Sequence, residues 1–202
     1  CATEGIRYMF SPYVLGRISF VVLGRAGVLS VIAVLGATLM LAACDGTEGR
    51  KVEFMERGNQ FYAQENYEKA RLEFRNVLQI EPKNPAALYK LAQLDEITQN
   101  WGAAFANYQR VIDADETNVM ARVRMGRLAL LSDQVDKALE LAEESLAKEP
   151  DNVDALTLKA AVLAKQQKHA EAMVLARQAL EKNPGHIETT ILLAGLEQSQ
   201  GR

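Results

Sequence analysis

Few residues in this 202-residue sequence have the type and spacing that covalent or metal chemistry needs. The chain has two cysteines, Cys1 and Cys44, but a chain that starts with Cys is expected to be a fragment or an over-extended reading frame, with Met9 as the true start. Cys44 then stands alone and cannot build a disulfide framework or a metal cluster. The histidines, His169 and His186, have no cysteine or carboxylate at metal-ligand spacing, so we interpret both as solvated residues near helix ends and predict no metal site.

The acidic stretch "DADET", residues 113–117, carries three carboxylates. It lies between two helical patterns, so we interpret it as a solvated turn rather than an acid/base pair. The sequence has no Ser-His-Asp order, no phosphate-binding loop of the P-loop type and no GxGxxG motif. We therefore predict a protein that is not an enzyme and uses no cofactor.

Cys44 is the residue whose surroundings indicate covalent chemistry. The stretch 26–43 carries no charge, and Arg17 and Arg25 stand just before it. A positive flank followed by an apolar run and small residues is the order of a secretory signal. After the cysteine the chain turns polar in "DGTEGR", residues 45–50, which we interpret as a tether.

The end of this segment, Leu41-Ala42-Ala43-Cys44, resembles the lipobox of bacterial lipoproteins. The resemblance implies that the Cys44 thiol takes a diacylglyceryl group and that signal peptidase II removes residues 1–43. The alternative is an uncleaved transmembrane anchor, since an apolar run of this length can just span a bilayer. We favour the lipoprotein because a spanning helix needs no cysteine at this boundary.

Both alternatives tie the chain to a membrane. The positive flank keeps the N-terminus in the cytoplasm, so residues from 45 onward would face the periplasm. Asp45 resembles the inner-membrane retention signal of enteric lipoproteins, which favours the inner membrane over the outer one.

The charge and composition of the remaining chain exclude one class of partner. Residues 1–44 hold three of the 23 basic and one of the 26 acidic side chains, which leaves 20 and 25 for the rest. An acidic body without a basic stripe argues against nucleic acid. Aromatic residues make up only 6% and Ala and Leu dominate the second half, which favours helix over sheet.

From residue 51 onward the sequence repeats itself with a constant period. The period equals the separation in sequence between Ala70 and Ala104, which occupy the same position in neighbouring units. Each segment holds two apolar-periodic stretches of about 13 residues, a length typical of helices rather than strands. The recurring positions are Ala70, Ala104, Ala138 and Ala172; Leu78, Ile112, Leu146 and Leu180; and Pro82, Pro150 and Pro184, where Glu116 is the exception.

At this point the chain resembles the tetratricopeptide repeat (TPR). The resemblance implies an all-α fold, a right-handed superhelical solenoid of helix-turn-helix units with a concave face lined by the first helix of each unit, preceded by the apolar N-terminal signal helix. Because the fifth unit stops after its first helix, we expect the parent chain to continue beyond Arg202. The TPR domain covers 51–202, in units 51–84, 85–118, 119–152 and 153–186 and a partial unit 187–202.

Several positions predict how the helices begin, end and pack. Asn84, Asn118 and Asn152 stand where the first helix of the next unit starts, and asparagine is a good N-cap. The prolines at the end of each unit stop the second helix. Small residues at a shared position would let the two helices of a unit pack closely: Gly58, Ala92, Gly126, Ala160 and Ala194.

The concave face is the candidate binding site. The resemblance places the second, fifth, ninth and twelfth residues of each unit in this groove. Three residues at these positions would form a row of polar side chains, a polar ladder, that hydrogen-bonds the backbone of an extended peptide, and three others would add apolar contact. The alternative is that these residues only solvate the inner face. The ladder is Asn59, Gln93 and Arg127, and the apolar group is Tyr62, Tyr89 and Met120. Only Asn59, and partly Arg124, match the family's clamp for C-terminal carboxylates, so we do not expect a ligand of the EEVD type.

We therefore predict a membrane-tethered scaffold or adaptor of the bacterial cell envelope that binds protein or peptide segments. The resemblance fits TPR lipoproteins of exosortase and exopolysaccharide systems, of pilus assembly and of outer-membrane protein assembly, the first of these most closely. Two alternatives remain: the recognition arm of a larger enzyme whose catalytic domain lies beyond Arg202, and a structural spacer that binds nothing.

Overall fold

The computed structural model describes residues 46–199 and Gly201, and this part of the chain is helical without strands. Residues 1–45, with the predicted signal segment, Cys44 and Asp45, lie outside it. We number the helices in chain order: α1 (46–63), α2 (Tyr67–Ile80), α3 (Pro85–Ile97), α4 (Trp101–Ala114), α5 (Val119–Leu131), α6 (Val135–Lys148), α7 (Val153–Lys165), α8 (His169–Lys182) and α9 (Ile187–Ser199).

The helices repeat with the period seen in the sequence. From α4 to α9 every helix begins and ends in the same register as the corresponding helix of the preceding unit, as Trp101 of α4 follows Tyr67 of α2. Helices pack with their partner in the hairpin and with the first helix of the next unit, and α5 also touches α7, which touches α9. Contacts between neighbours in this order are what a linear repeat stack requires.

Asparagines fix the start of the first helix in three units. The side chains of Asn84, Asn118 and Asn152 accept a hydrogen bond from the backbone N–H three residues later, at 2.9, 2.9 and 3.0 Å. Each bond satisfies one of the free N–H groups at a helix start, so the predicted N-caps are confirmed. Pro85 follows directly, at a position where its missing N–H costs nothing.

The second helix of each unit stops at the predicted place, with or without proline. Helices α2, α6 and α8 end two residues before Pro82, Pro150 and Pro184. Helix α4 ends at Ala114 in the same register, although Glu116 replaces the proline there. Asp115 accepts hydrogen bonds from the backbone N–H and the hydroxyl of Thr117, at 2.9 and 2.6 Å, so a side-chain turn takes over from proline.

The two helices of a unit meet at small residues, as predicted. Ala70, Ala104, Ala138 and Ala172 are all completely buried. A Cβ atom on Gly58 would lie 2.5 Å from the Phe74 ring of the same unit. One on Gly126 would lie 3.4 Å from Cβ of Leu141 in its own unit and 2.5 Å from Cδ2 of Leu158 on α7, the first helix of the next unit. The two distances of 2.5 Å are shorter than any van der Waals contact, so only glycine allows the helices to approach this closely at both positions.

Each hairpin turns through a residue with a left-handed backbone. The φ angles of Glu65, Gln99, Asp133 and Gln167 lie between 56° and 63°, and Gly201 has a φ of 74° in the same register. Residues other than glycine adopt this conformation at a cost. The fifth unit thus enters its turn with the residue type that the turn prefers, and the other four units do not.

A buried polar cluster joins the first two units. The carboxylate of Asp95 on α3 is only 3% exposed and pairs with the guanidinium of Arg71 on α2. Its second oxygen accepts a hydrogen bond of 2.7 Å from Asn107 on α4. Three helices therefore depend on one carboxylate, and removing it would leave a half-buried arginine without its counter-charge.

The first residues of the stack differ from the sequence prediction, and the last helix has an exposed apolar side. Residues 46–50, expected to be part of a tether, are helical and form the start of α1. The Lys51 nitrogen in this helix bridges the carboxylates of Glu48 and Glu81 at 2.7 and 2.8 Å. At the other end Ile187 and Ile191 of α9 are 74% and 68% exposed, because within the described residues this helix packs mainly against α7 and α8. Among the described residues no helix has both the length and the apolar character to cross a bilayer.

Candidate functional site

An open pocket of about 490 Å³ crosses the first helices of three successive units. Met55 and Asn59 of α1 form one side, Met120 and the cap residue Asn118 form the other, and α3 lies between them. Helix α3 contributes Pro85, Ala86, Tyr89 and Lys90. The pocket lies on the first helices, where the resemblance to TPR proteins places the binding face.

Three of the six predicted groove residues line this pocket: Asn59, Tyr89 and Met120. Tyr62 lies beside it, since the ammonium nitrogen of Lys90 is 4.7 Å from the centre of the Tyr62 ring. The structure therefore brings four of the six predicted residues to one place, and their role in binding stays a prediction.

The remaining two predicted residues lie elsewhere on the first helices. Gln93 is half-buried, and its side-chain oxygen finds no hydrogen-bond partner in the described part of the chain. Arg127 is engaged by two carboxylates, because one guanidinium nitrogen lies 2.7 Å from both Asp154 and Glu188. The expected ladder is thus uneven: Asn59 faces an open pocket, whereas Arg127 joins α5 to α7 and α9.

The carboxylates around Arg127 form a cluster with His186 that the sequence did not predict. Ligand atoms of Asp154, His186 and Glu188 lie within 4.8 Å of one another. His186 is half-buried rather than solvated, and its Nδ1 lies 2.6 Å from the hydroxyl of Thr189. The guanidinium of Arg127 already pairs with both carboxylates, so we assign the cluster a structural role. Because Asp154 stands at the start of the fourth unit and His186 at its end, local spacing could not reveal the cluster.

Aromatic rings and one ion pair lie between α3, α4 and α5. The rings of Tyr89 and Tyr108 meet edge to face with their centres 5.4 Å apart. Burial raises the pKa of both phenols above the usual value, so both hydroxyls stay neutral at physiological pH. Arg124 pairs with Glu96 at 3.2 Å. The two tyrosines therefore carry no charge, and the positive charge of Arg124 is offset by the carboxylate of Glu96.

Lys90 is the charged residue of the pocket lining, and the sequence reasoning missed it. It is the sixth residue of its unit, which is not among the four positions carried over from the family. Its register is that of Arg124 in the next unit. Two basic side chains at one position of neighbouring first helices were a signal in the sequence that could have identified it.

The fold and the groove define a class of protein: a solenoid of helical hairpins with an open pocket on its first helices. Two segments match family models, residues 58–94 one described as "TPR repeat" and residues 123–187 one described as "Tetratricopeptide repeat". These segments carry tetratricopeptide repeats, and the all-α solenoid predicted from the sequence is confirmed. Among curated proteins, none matches the chain significantly.

Solved structures share this fold at low sequence identity. PilF of Pseudomonas aeruginosa superposes with a TM-score of 0.68 at 18% identity, over 77% of this chain and 71% of that one. MamA of Desulfovibrio magneticus gives 0.65 at 16% identity, over 75% and 86%. YrrB, described as a TPR protein with an unusual peptide-binding site, gives 0.59 at 20% identity, over 82% and 86%. At these identities the likeness concerns the fold alone.

Proposed function

We propose that this protein is a TPR scaffold of the bacterial cell envelope that holds an extended polypeptide segment in its groove. The observation that carries the proposal is the pocket that crosses α1, α3 and α5. A ligand that contacts three successive first helices must be elongated, because neighbouring helices in such a stack lie about 10 Å apart. An extended chain of a few residues covers that span.

The lining suits a polypeptide better than a small polar metabolite. Met55, Tyr89 and Met120 offer apolar surface, and the Asn59 amide makes no hydrogen bond within the described residues, so it is open to a peptide backbone. YrrB supports the choice by analogy, since a protein of this fold is described as having a peptide-binding site. Proteins or peptides of the envelope are therefore the partners that we propose.

The membrane attachment is part of the proposal and rests on the sequence. The uncharged residues 26–43, their positive flank and the lipobox ending at Cys44 support lipidation at that cysteine and a groove on the periplasmic side. Asp45 supports retention at the inner membrane. The similarity to lipoproteins of exosortase systems stays a prediction.

Crosslinking from inside the groove tests the proposal. A photoreactive benzoylphenylalanine replaces Met120, which is 41% exposed on the pocket wall, in the organism that encodes the chain. We expect a small, reproducible set of envelope proteins to be captured on illumination. The matched control carries the same probe at Leu72, which is 58% exposed on the second helix α2, away from the pocket.

The outcome separates the proposal from its alternatives. Equal capture at Met120 and Leu72 would mean that the groove is not the binding face. No capture at Met120 would favour a spacer in pilus, exopolysaccharide or outer-membrane assembly. Capture confined to substrates of one enzymatic reaction would favour the recognition arm of a larger enzyme.

A further inference from the structure

We infer that the pocket selects an extended segment that carries a large apolar side chain and, two residues away on the same face, a side-chain carboxylate. The inference rests on the proposed function and names the ligand chemistry of the same groove. Three features carry it: the apolar walls, one unpaired ammonium group and an amide that is free to bind a backbone.

The walls favour an apolar side chain. Met55, Met120 and Tyr89 face the pocket together with Pro85 and Ala86, and no lining residue is acidic. Methionine side chains are flexible and polarisable, so two of them can adapt to an aromatic or a branched aliphatic group. A volume of about 490 Å³ holds one such group together with its backbone.

Lys90 supplies the charge. Between Lys51 and Lys165 every other lysine or arginine on the first helices α1, α3, α5 and α7 pairs with a carboxylate. Lys90 makes no such pair in the described part of the chain, and its ammonium nitrogen lies 4.7 Å from the centre of the Tyr62 ring. Lys90 is half-buried as a residue and lines the pocket, so a ligand carboxylate would gain a charged partner without breaking an existing ion pair.

The position of the pocket favours a side-chain carboxylate within a polypeptide over the carboxylate at a chain end. Met55 and Asn59 lie on one side of Lys90 and Asn118 and Met120 on the other, so the segment continues past the lysine in both directions. The Asn118 side-chain oxygen is used by the cap of α5, which leaves Asn59 as the amide that can both donate to and accept from the ligand backbone. A chain end would leave part of the lining without a contact.

A methionine-methyl NMR titration tests the inference on the 202-residue chain in lipid nanodiscs. The probe is the peptide acetyl-Gly-Ser-Phe-Ser-Asp-Ser-Gly-amide, compared with its Phe→Ala and Asp→Asn forms and with acetyl-Gly-Ser-Phe bearing a free carboxylate. The methyl groups of Met55 and Met120 should shift, while that of the buried Met173 on α8 should not. We expect Asp→Asn to weaken binding about fivefold and Phe→Ala at least about tenfold.

Two variants locate the charge. In Lys90→Gln the first probe should bind about fivefold more weakly and the Asp→Asn form should lose nothing further. Lys69→Gln is the matched control, since the Lys69 nitrogen lies 5.4 Å from the centre of the Phe61 ring but on α2, and it should bind like the parent chain.

The possible failures are distinguishable. If the peptides shift Met55 and Met120 regardless of the aspartate, or if Asp→Asn costs as much in Lys90→Gln, the inference is wrong but the groove still binds peptides. Tighter binding of the free-carboxylate tripeptide would also overturn it, in favour of chain-end recognition. If no peptide shifts either methyl group, the proposed function fails as well.

Discussion

Replacing Gly126 by alanine should destabilise the protein, although alanine is the better helix former. Gly126 lies in the middle of α5, and an added Cβ would be 2.5 Å from Cδ2 of Leu158 and 3.4 Å from Cβ of Leu141. Leu158 is only 1% exposed, so its methyl group has no free space to enter. Ala92 and Ala160 occupy the same register and would suggest tolerance, but Leu158 makes this unit different.

Two opposing effects set the magnitude. Alanine in place of glycine inside a helix gains up to about 1 kcal/mol. Overpacking a closed core costs about 1–3 kcal/mol. The net result should be a loss of about 1 kcal/mol in the free energy of unfolding, since the Leu158 side chain has to rearrange inside a closed core to relieve the contact.

Urea unfolding of the fragment 45–202, followed by circular dichroism, measures this loss. The fragment is suitable because Thr47–Arg202 forms one compact unit. Gly195→Ala is the matched control: no atom lies within 4 Å of its added Cβ, so the urea midpoint should rise. A double variant with Leu158→Ala should be more stable than the sum of the two single changes predicts, because the new methyl group enters the vacated space.

The reasoning would be refuted by a simple result. If Gly126→Ala raises the midpoint as much as Gly195→Ala does, the helices are not in close contact at this position. Additive effects of Gly126→Ala and Leu158→Ala would exclude the contact between these two residues.

The other predictions concern separate parts of the chain. Asp95→Ala should lower the free energy of unfolding by about 2–4 kcal/mol in the same urea assay, because it leaves the Arg71 charge half-buried and unpaired. Gln99→Gly should raise stability by about 0.5–1 kcal/mol, since glycine adopts the positive φ of 56° without strain; a lower midpoint would contradict this. Amides of 187–198 should exchange with deuterium much faster than those of 119–146, and equal protection would mean that the exposed face of α9 does not weaken it. Radiolabelled palmitate should be incorporated at Cys44, and Cys44→Ala should leave an uncut precursor; absence of label would exclude lipidation.

The regular part of the fold was predictable because it depends on local residues. The Asn84 cap and the burial of Ala138 follow from a pattern that returns once in every unit, and each needs only its own helix or hairpin. The stop of α4 beside Glu116 was not predicted from proline, because a side-chain turn at Asp115 replaces it.

The candidate site was predictable only in part. Asn59, Tyr89 and Met120 were found by register, but the state of a charged side chain depends on its partners in other units. Arg127 was expected to face a ligand and is instead held by one carboxylate from each of the next two units. Lys90 was overlooked, and it makes no ion pair with a carboxylate in the described part of the chain. Pairing between units cannot be read from the periodicity within a unit.

The constant spacing of helix ends determines which deletions and duplications of the coding sequence the fold can accept. Deleting residues 85–118 would join Asn84 to Val119, a junction of the same kind as the natural one between Asn118 and Val119, where an asparagine caps the next first helix. A whole unit can therefore be lost or duplicated without creating a new kind of turn. Such events would change the number of first helices along the groove, and with it the length of polypeptide that the groove can hold, while the chemistry of every junction stays the same.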